Sequence, residues 1–260
     1  MRKDSNLSYD KWQVINSDTN KIWVYGDSYS FPTSDPMFTQ EYYEKCDSYD
    51  KSYHVDKFWF DYIADDLHNS IGKYETVIMG DGGRSNSWIL RTIIKTMKFW
   101  KPTDEIYIGH TYPHRYEYPY DNKWVRINPD ISERIGNNSN LQWVNGLYKN
   151  WILSSECQLE FWNDLNDIVS FSHSNGYKIK SWFWGNYYET IDSFAKASNE
   201  EINNAHPSPL GSYQLYNIIK KLPFGHKSTI GKNFNSTDDG GTLITVENTK
   251  KIDNFFKNKS

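Results

Sequence analysis

Four short runs of β-branched and aromatic residues are the feature that most constrains how this chain can fold. The runs lie at residues 22–25, 76–79, 105–108 and 178–184, and each is followed directly by a glycine. Between them, apolar residues recur at intervals of three and four, which is the spacing of one face of an α-helix. Strands that alternate with amphipathic helices predict an α/β fold with a mainly parallel sheet.

The helical patterns have recognisable ends. One helix is predicted from about residue 55 to 69, and a second begins after Ser85, a residue suited to the N-cap. The last helix is predicted to begin with Ser208 as N-cap and Pro209 in its first turn. Between these lies a helical face formed by Phe161, Trp162, Leu165, Ile168 and Val169.

Composition excludes several classes of protein. The 260 residues carry a formal net charge of -4, so no basic surface for nucleic acid is indicated. No run approaches the roughly 18 apolar residues of a membrane span, and the polar N-terminus lacks the pattern of a signal peptide. Cys46 and Cys157 form neither a disulfide framework nor a metal motif. We therefore expect a cytoplasmic protein with reduced thiols.

A possible nucleophile follows the first strand. Ser28 stands in the triplet Gly26-Asp27-Ser28, at the carboxyl end of a strand, where open α/β sheets bind ligands. A serine hydroxyl is a weak nucleophile until a neighbouring base activates it. Taken alone, the triplet is common by chance and favours an ordinary turn after a strand.

Two further segments follow predicted strands. The sequence Gly82-Gly83-Arg84-Ser85-Asn86 leads from the second strand into a helix, where glycine backbone and free N–H groups suit an oxyanion hole. His206 lies before the last helix, on a loop from which it can reach the carboxyl edge of the sheet. A tight capped turn and a surface histidine are the alternative interpretations.

The order of these three segments resembles that of SGNH (GDSL-type) hydrolases, over roughly residues 21 to 222. The first block of that family is a Gly-Asp-Ser, the second supplies a glycine, and the last is Asp-x-x-His-Pro; here the last reads Asn203-Asn204-Ala205-His206-Pro207. The second block is similar to a version found in phage and bacterial members, which points to a viral or host-cytoplasmic setting. The resemblance implies a three-layer α/β/α sandwich with a five-stranded, flavodoxin-like parallel sheet. It places an SGNH-like domain at residues 1–226 and leaves 227–260 as a C-terminal extension of unknown role.

The resemblance also implies a reaction and its residues. Ser28 would attack an ester carbonyl, His206 would act as its base, and the N–H groups of Ser28 and Gly83 would hold the oxyanion. The implied substrate is a small acyl ester or an O-acetylated glycan, with no cofactor, no metal and no nucleic acid involved. Asp27, from the first block, is counted with the oxyanion and substrate-binding residues.

Two positions depart from the family pattern. Asn203 stands where the family has its catalytic Asp, so either a Ser–His dyad works alone or Glu200 or Glu201 orients the histidine. The Gly-x-Asn block, whose Asn donates to the oxyanion, reads Gly109-His110-Thr111 here. We expect one of Thr111, His110, Arg115 and Asn86 to take over that role, with Asn203 still placed to hydrogen-bond the imidazole.

Other interpretations of the same residues remain open. Residues 109–117 are predicted to be a polar, aromatic substrate loop in which Arg115 meets an anionic or sugar group, or a surface loop with Arg115 and Glu117 paired. His110 and His114 have the spacing of metal ligands, although Pro113 disfavours a helix there. The aromatic segment 29–53 suits a lid, a sugar-binding surface or simple packing. The rival functions are an acyltransferase on the same site and a catalytically impaired module that binds a glycan or a protein.

Overall fold

The computed structural model describes residue 15 and residues 17–30, 57–113, 115–120, 123–127, 155–187, 190–193 and 206–230. Within these ranges the strands, numbered in chain order, are β1 (Asn20–Tyr25), β2 (Tyr74–Ile78), β3 (Glu105–His110), β4 (Tyr116–Tyr120), β5 (Lys123–Ile127) and β6 (Lys178–Phe183). Four of them form a parallel sheet in the order β2-β1-β3-β6, and β4 pairs with β5 in an antiparallel hairpin. In the sheet, Val24 lies opposite Ile78 on one side and Tyr107 on the other.

Four α-helices accompany the sheet in the described ranges: α1 (Trp59–Ser70), α2 (Asn86–Thr96), α3 (Ser155–Ser174) and α4 (Pro209–Lys221). The predicted N-caps are confirmed, because the hydroxyl of Ser85 accepts a hydrogen bond from the N–H of Trp88 at 3.2 Å and that of Ser208 from Gly211 at 3.0 Å. These bonds satisfy N–H groups that the first turn of a helix otherwise leaves without a partner. The N-caps therefore determine where the segments just before α2 and α4 end.

The core lies on both faces of the sheet because side chains alternate along each strand. Ile22 and Val24 of β1 pack in one cluster with residues of α1 and α4, such as Phe60 and Ile219. Trp23, Tyr25 and their neighbours on β3 and β6 pack in a second cluster with residues of α2 and α3. Helices on both faces leave the two edges where strands begin and end as the places open to ligands.

The amino edge of the sheet is tied together by Asp104, which is fully buried. Its carboxylate accepts hydrogen bonds from the N–H of Lys21, the indole N–H of Trp23 and the N–H of Lys101, each between 2.9 and 3.0 Å. Each of these donors belongs to the framework of the fold. This edge therefore has a structural role, and the carboxyl edge is the one to inspect for function.

The α/β class and the parallel sheet are confirmed, and a strand order of 2-1-3 followed by the next parallel strand is compatible with a flavodoxin-like sandwich. A fifth parallel strand is not among the described residues. The hairpin of β4 and β5 was not predicted, and α1 begins at Trp59 instead of about residue 55. None of the helices described is both long and apolar enough to cross a membrane.

Candidate active site

Ser28 begins a single 3-10 turn, Ser28–Ser30, directly beyond the carboxyl end of β1. Asp27 shapes this turn, because its carbonyl accepts from the N–H of Ser30 at 2.9 Å and its side chain from the N–H of Tyr29 at 3.1 Å. Gly26 makes room for the turn, since a Cβ there would lie 2.2 Å from Oγ of Ser30. Ser28 is partly exposed while Tyr29 and Ser30 are buried, so the turn presents its first residue outward.

The turn lies at the point where the chain connections diverge. β1 and β3 are neighbours in the sheet, yet the chain leaves β1 toward α1 and reaches α3, on the opposite face, after β3. In open α/β sheets this divergence opens a crevice at the carboxyl ends of the two strands, and ligands bind there. Ser28 follows β1 and Thr111 follows β3, the positions at which such a crevice forms in folds of this class.

A buried carboxylate links the two sides of the crevice. Asp27, 1% exposed, accepts a hydrogen bond from the hydroxyl of Thr111 at 2.7 Å and from Nη1 of Arg115 at 2.8 Å. The same Nη1 lies 3.0 Å from the hydroxyl of Thr111. A charge-assisted bond of this kind is stronger than a neutral one and compensates the cost of burying the carboxylate. Arg115 is thus paired with Asp27, and the alternative of a surface pair between Arg115 and Glu117 is wrong.

The segment after β2 joins the same network through Asn86, in the first turn of α2. Its side-chain amide donates to the carbonyl of Thr111 at 3.0 Å, and its side-chain oxygen accepts from the N–H of Thr111 at 2.9 Å. Both residues are buried, at 3% and 1% exposure. The polar atoms of Asn86 and Thr111 are therefore engaged in hydrogen bonds that hold the segments after β1, β2 and β3 together. Few of their hydrogen-bonding groups remain for the predicted oxyanion role.

The glycines after β2 lie beside Ser28. A Cβ on Gly82 would stand 4.0 Å from Cβ of Ser28, and one on Gly80 would stand 2.7 Å from the carbonyl oxygen of Ser30. Gly83 has a φ of 66°, a left-handed conformation that favours glycine. Within the described residues, the N–H groups of Ser28 and Gly83 donate no hydrogen bond. Both N–H groups are therefore available as donors, the kind of group from which oxyanion holes are built.

His206 reaches this edge from the opposite end of the chain. Its ring packs on the ring of Tyr29, with 4.9 Å between centroids and a 31° tilt, and Tyr29 stacks in turn on Trp184 at 4.6 Å. Pro207 bridges to Ser193, and the hydroxyl of Ser208 donates to the carboxylate of Asp192. The structure thus brings His206 against the residue that follows Ser28.

His206 contacts the residue that follows Ser28, and among the described residues no hydrogen bond joins His206 to Ser28 itself. Catalytic hydrogen bonds are often long in ligand-free structures and shorten when substrate binds. Asn203, Glu200 and Glu201, the residues expected to orient the histidine, lie outside the described residues. So do His114 and most of the aromatic segment 29–53.

Charged side chains line the neighbouring part of the same edge. Glu117, buried at 2% exposure, forms ion pairs with Arg91 and, at 3.4 Å, with Arg84. Arg84 also donates to the carboxylate of Asp81 and lies 4.9 Å from the ring centre of Trp88. Each arginine has a carboxylate partner, so these residues form a nearly neutral wall instead of a strongly positive one.

His110 occupies a different place from the one expected. It is 1% exposed at the end of β3, and its ring packs 4.3 Å from that of Trp162 on the α3 face. Neither ring nitrogen makes a hydrogen bond within the described residues. Burial lowers the pKa of His110 to about 3, so the imidazole is neutral. Among the described residues no three potential metal ligands cluster, and His110 faces the core instead of the crevice.

Sequence reasoning missed three residues of this edge. Trp184 follows β6 directly and supports Tyr29, and Asp192 holds the cap of α4 next to His206. Trp184 had one usable signal, since it lies at the carboxyl end of a predicted strand like Ser28 and Thr111. Tyr29 and Asp192 carried none, because their partners are distant in the chain.

Comparisons with protein-family models, with curated proteins and with solved structures found no match for this chain. The resemblance to SGNH hydrolases therefore stays a prediction from the sequence blocks.

Proposed function

We propose that this protein is a serine-dependent ester hydrolase with Ser28 as nucleophile and His206 as general base. One observation carries the proposal: the ring of His206 packs on Tyr29, which directly follows Ser28, although 178 residues separate His206 from Ser28 in the chain. The turn that presents Ser28 lies at the crevice where α/β sheets bind ligands. The packing of His206 on the residue next to Ser28 supports the pairing of these two residues as nucleophile and base.

The proposed reaction is acyl transfer to water in two steps. His206 accepts the proton of the Ser28 hydroxyl as Oγ bonds to the ester carbonyl carbon, and it then returns the proton to the departing alcohol. Water attacks the acyl-enzyme in the same way and releases the acid and the free serine. The N–H groups of Ser28 and Gly83 are the proposed donors to the oxyanion.

The proposed substrate is a small acyl ester or an O-acetyl group on a glycan. Asp27, which directly precedes Ser28, is buried and bonded to Thr111, which in turn bonds to Asn86, and this network supports a rigid site for a compact acyl group. The nature of the acceptor, water or another alcohol, decides between this proposal and the acyltransferase alternative.

A second candidate function has its own supporting observation. Thr111 and Asn86, the side chains expected to replace the family's oxyanion donor, are engaged with Asp27 and with each other. An SGNH-like module without that donor would bind a glycan or protein without efficient turnover. This candidate differs from the first in the reactivity of Ser28.

The deciding experiment combines p-nitrophenyl acetate hydrolysis with labelling by a fluorophosphonate probe. We expect wild-type protein to turn over the ester and to be labelled at Ser28. Ser28→Ala should abolish both signals, and His206→Ala should lower both to near background because the hydroxyl loses its base. Peptide mapping of the labelled protein identifies the modified residue.

Ser87→Ala is the matched control, since Ser87 is a buried serine in the first turn of α2 that bonds only to the cap hydroxyl of Ser85. We expect it to keep full labelling and turnover. Wild-type protein that is folded yet neither labelled nor active would refute the hydrolase and favour the binding module. Labelling without ester hydrolysis, together with acyl transfer to an added alcohol, would favour the transferase.

A further inference from the structure

Tyr29 is held unusually firmly for a residue in a single turn. Its N–H donates to the carboxylate of Asp27 at 3.1 Å, and its carbonyl accepts from the indole N–H of Trp59 at 3.0 Å. Tyr29 as a whole residue is 6% exposed. Its ring stacks on that of Trp184, with 4.6 Å between the ring centroids and a tilt of 22°. The backbone and the ring of Tyr29 are thus fixed by three separate elements.

Trp184 is itself a rigid support. It is 1% exposed, it follows β6 directly, and its indole N–H lies 3.2 Å from the hydroxyl of Tyr112. A stacked aromatic pair resists sliding because the rings exclude water and pack at van der Waals distance. The Tyr29 ring is therefore a fixed surface, and the ring of His206 packs on it with 4.9 Å between centroids.

From this geometry we infer that Tyr29 is a positioning residue, whose ring holds the imidazole of His206 beside Ser28. The inference rests on the proposed function, in which His206 is the base. In hydrolases with a catalytic triad, a carboxylate restricts the orientation of the histidine. Here the aromatic stack of Trp184 and Tyr29 restricts it from the ring face, which matters more where Asn203 stands in place of that carboxylate.

The first test does not depend on activity. In ¹³C-edited NMR spectra of the wild-type protein, the ring protons of Tyr29 should show cross-relaxation to the ring protons of His206. The Tyr29 ring current should also displace the His206 signals, an effect that Tyr29→Phe retains and Tyr29→Leu loses. A folded wild-type protein without this cross-relaxation would overturn the inference, whatever the enzyme does.

The second test separates positioning from folding by kinetics. A misplacement of about 1 Å costs on the order of 100-fold in rate, so Tyr29→Leu should lower kcat by about 10- to 100-fold with KM nearly unchanged. Tyr29→Phe should restore the wild-type kcat because the ring, and not the hydroxyl, carries the contact. Equal kcat for Tyr29→Leu and the wild type would contradict the inference.

Tyr62→Leu is the matched control. Tyr62 is 7% exposed and packs on the rings of Tyr213 and Tyr216 between α1 and α4. Both leucine variants should lose similar stability, but only Tyr29→Leu should lose kcat. If Ser28 fails to react at all while the NMR contact is present, the proposed function fails and the ring packing stands; if Ser28 reacts and the contact is absent, only this inference fails.

Discussion

The imidazole of His110 is buried, and this burial lowers its pKa. Its pKa of about 3 lies below the ordinary value of 6.5, so between these values the folded protein keeps the ring neutral while the unfolded chain binds a proton. Because the unfolded chain binds this proton more readily than the folded protein, the free energy of unfolding decreases as the pH falls. The affected window runs from about pH 6.5 down toward pH 3.

We therefore expect wild-type protein to lose up to about 1.4 kcal/mol of unfolding free energy per pH unit within that window because of His110 alone. His110→Phe should flatten this slope, since a phenyl ring packs against Trp162 without a titrating group. Urea unfolding at a series of pH values measures the difference. His68→Phe, at an exposed position of α1, should keep the wild-type slope, and equal slopes for wild type and His110→Phe would show that His110 is not the titrating group.

Helix α4 is anchored at both ends. At its start, Ser208 caps the helix and donates to Asp192, and at its end the buried ammonium of Lys180 donates to the carbonyls of Ile219 at 3.2 Å and Leu222 at 2.5 Å. Burial lowers the pKa of Lys180, but the cation complements the partial negative charge of a helix C-terminus. Because His206 lies three residues before α4, these anchors also limit how far it can move.

Gly211, in the first turn of α4, is the position where this element tolerates least change. A Cβ there would lie 1.8 Å from the carbonyl oxygen of Asp192, and the helix would have to shift away from that segment. We expect Gly211→Ala to cost about 2 to 4 kcal/mol of unfolding free energy and to lower kcat as His206 is displaced. Lys221→Ala, exposed in the last turn of the same helix, should change stability by less than about 0.5 kcal/mol. Chemical denaturation measures the unfolding free energy of both variants. Similar values would contradict this prediction and show that the segment around Asp192 shifts at little cost.

At the scale of the whole molecule, the loops after β1, β2 and β3 are connected through Thr111. Its hydroxyl bonds to Asp27 and its backbone to Asn86, so each partner restrains the same residue. Residues that share a partner in this way are expected to be energetically coupled. The candidate site should therefore behave as one unit.

A double-mutant cycle tests this coupling. Asp27→Ala and Asn86→Ala together should cost less than the sum of the single variants, by about 1 kcal/mol, because the first change already releases Thr111. The control cycle pairs Asn86→Ala with Lys180→Met, which lies on the other face of the sheet and shares no partner with Asn86. Unfolding free energies from urea titration supply all values, and additivity in both cycles would rule out a shared network.

The strands and helices of the framework were predictable because buried apolar residues recur at a fixed interval along each element. In α2, for example, Leu90 and Ile93 are three residues apart on one face of the helix. The hairpin of β4 and β5 was missed although Tyr116, Tyr118, Trp124 and Val125 flank the turn-forming pair Asp121-Asn122, because the surrounding polar residues favoured a loop. Asp27 and Arg115 were each singled out, but their pairing joins residues 88 positions apart and depends on how β1 and β3 are placed side by side. The contact between His206 and Tyr29 is of the same kind.

The packing around Ser30 limits which substitutions this sequence can accept in evolution. Ser30 is fully buried, and a Cβ on Gly26, Gly80 or Gly109 would lie 2.2, 2.7 or 2.6 Å from one of its atoms. A saturation library at any of these three positions should return glycine alone, while Ser30 should accept alanine and nothing larger. Descendants of this chain can therefore vary widely in the loops beyond, while the three glycines around Ser30 have to be retained.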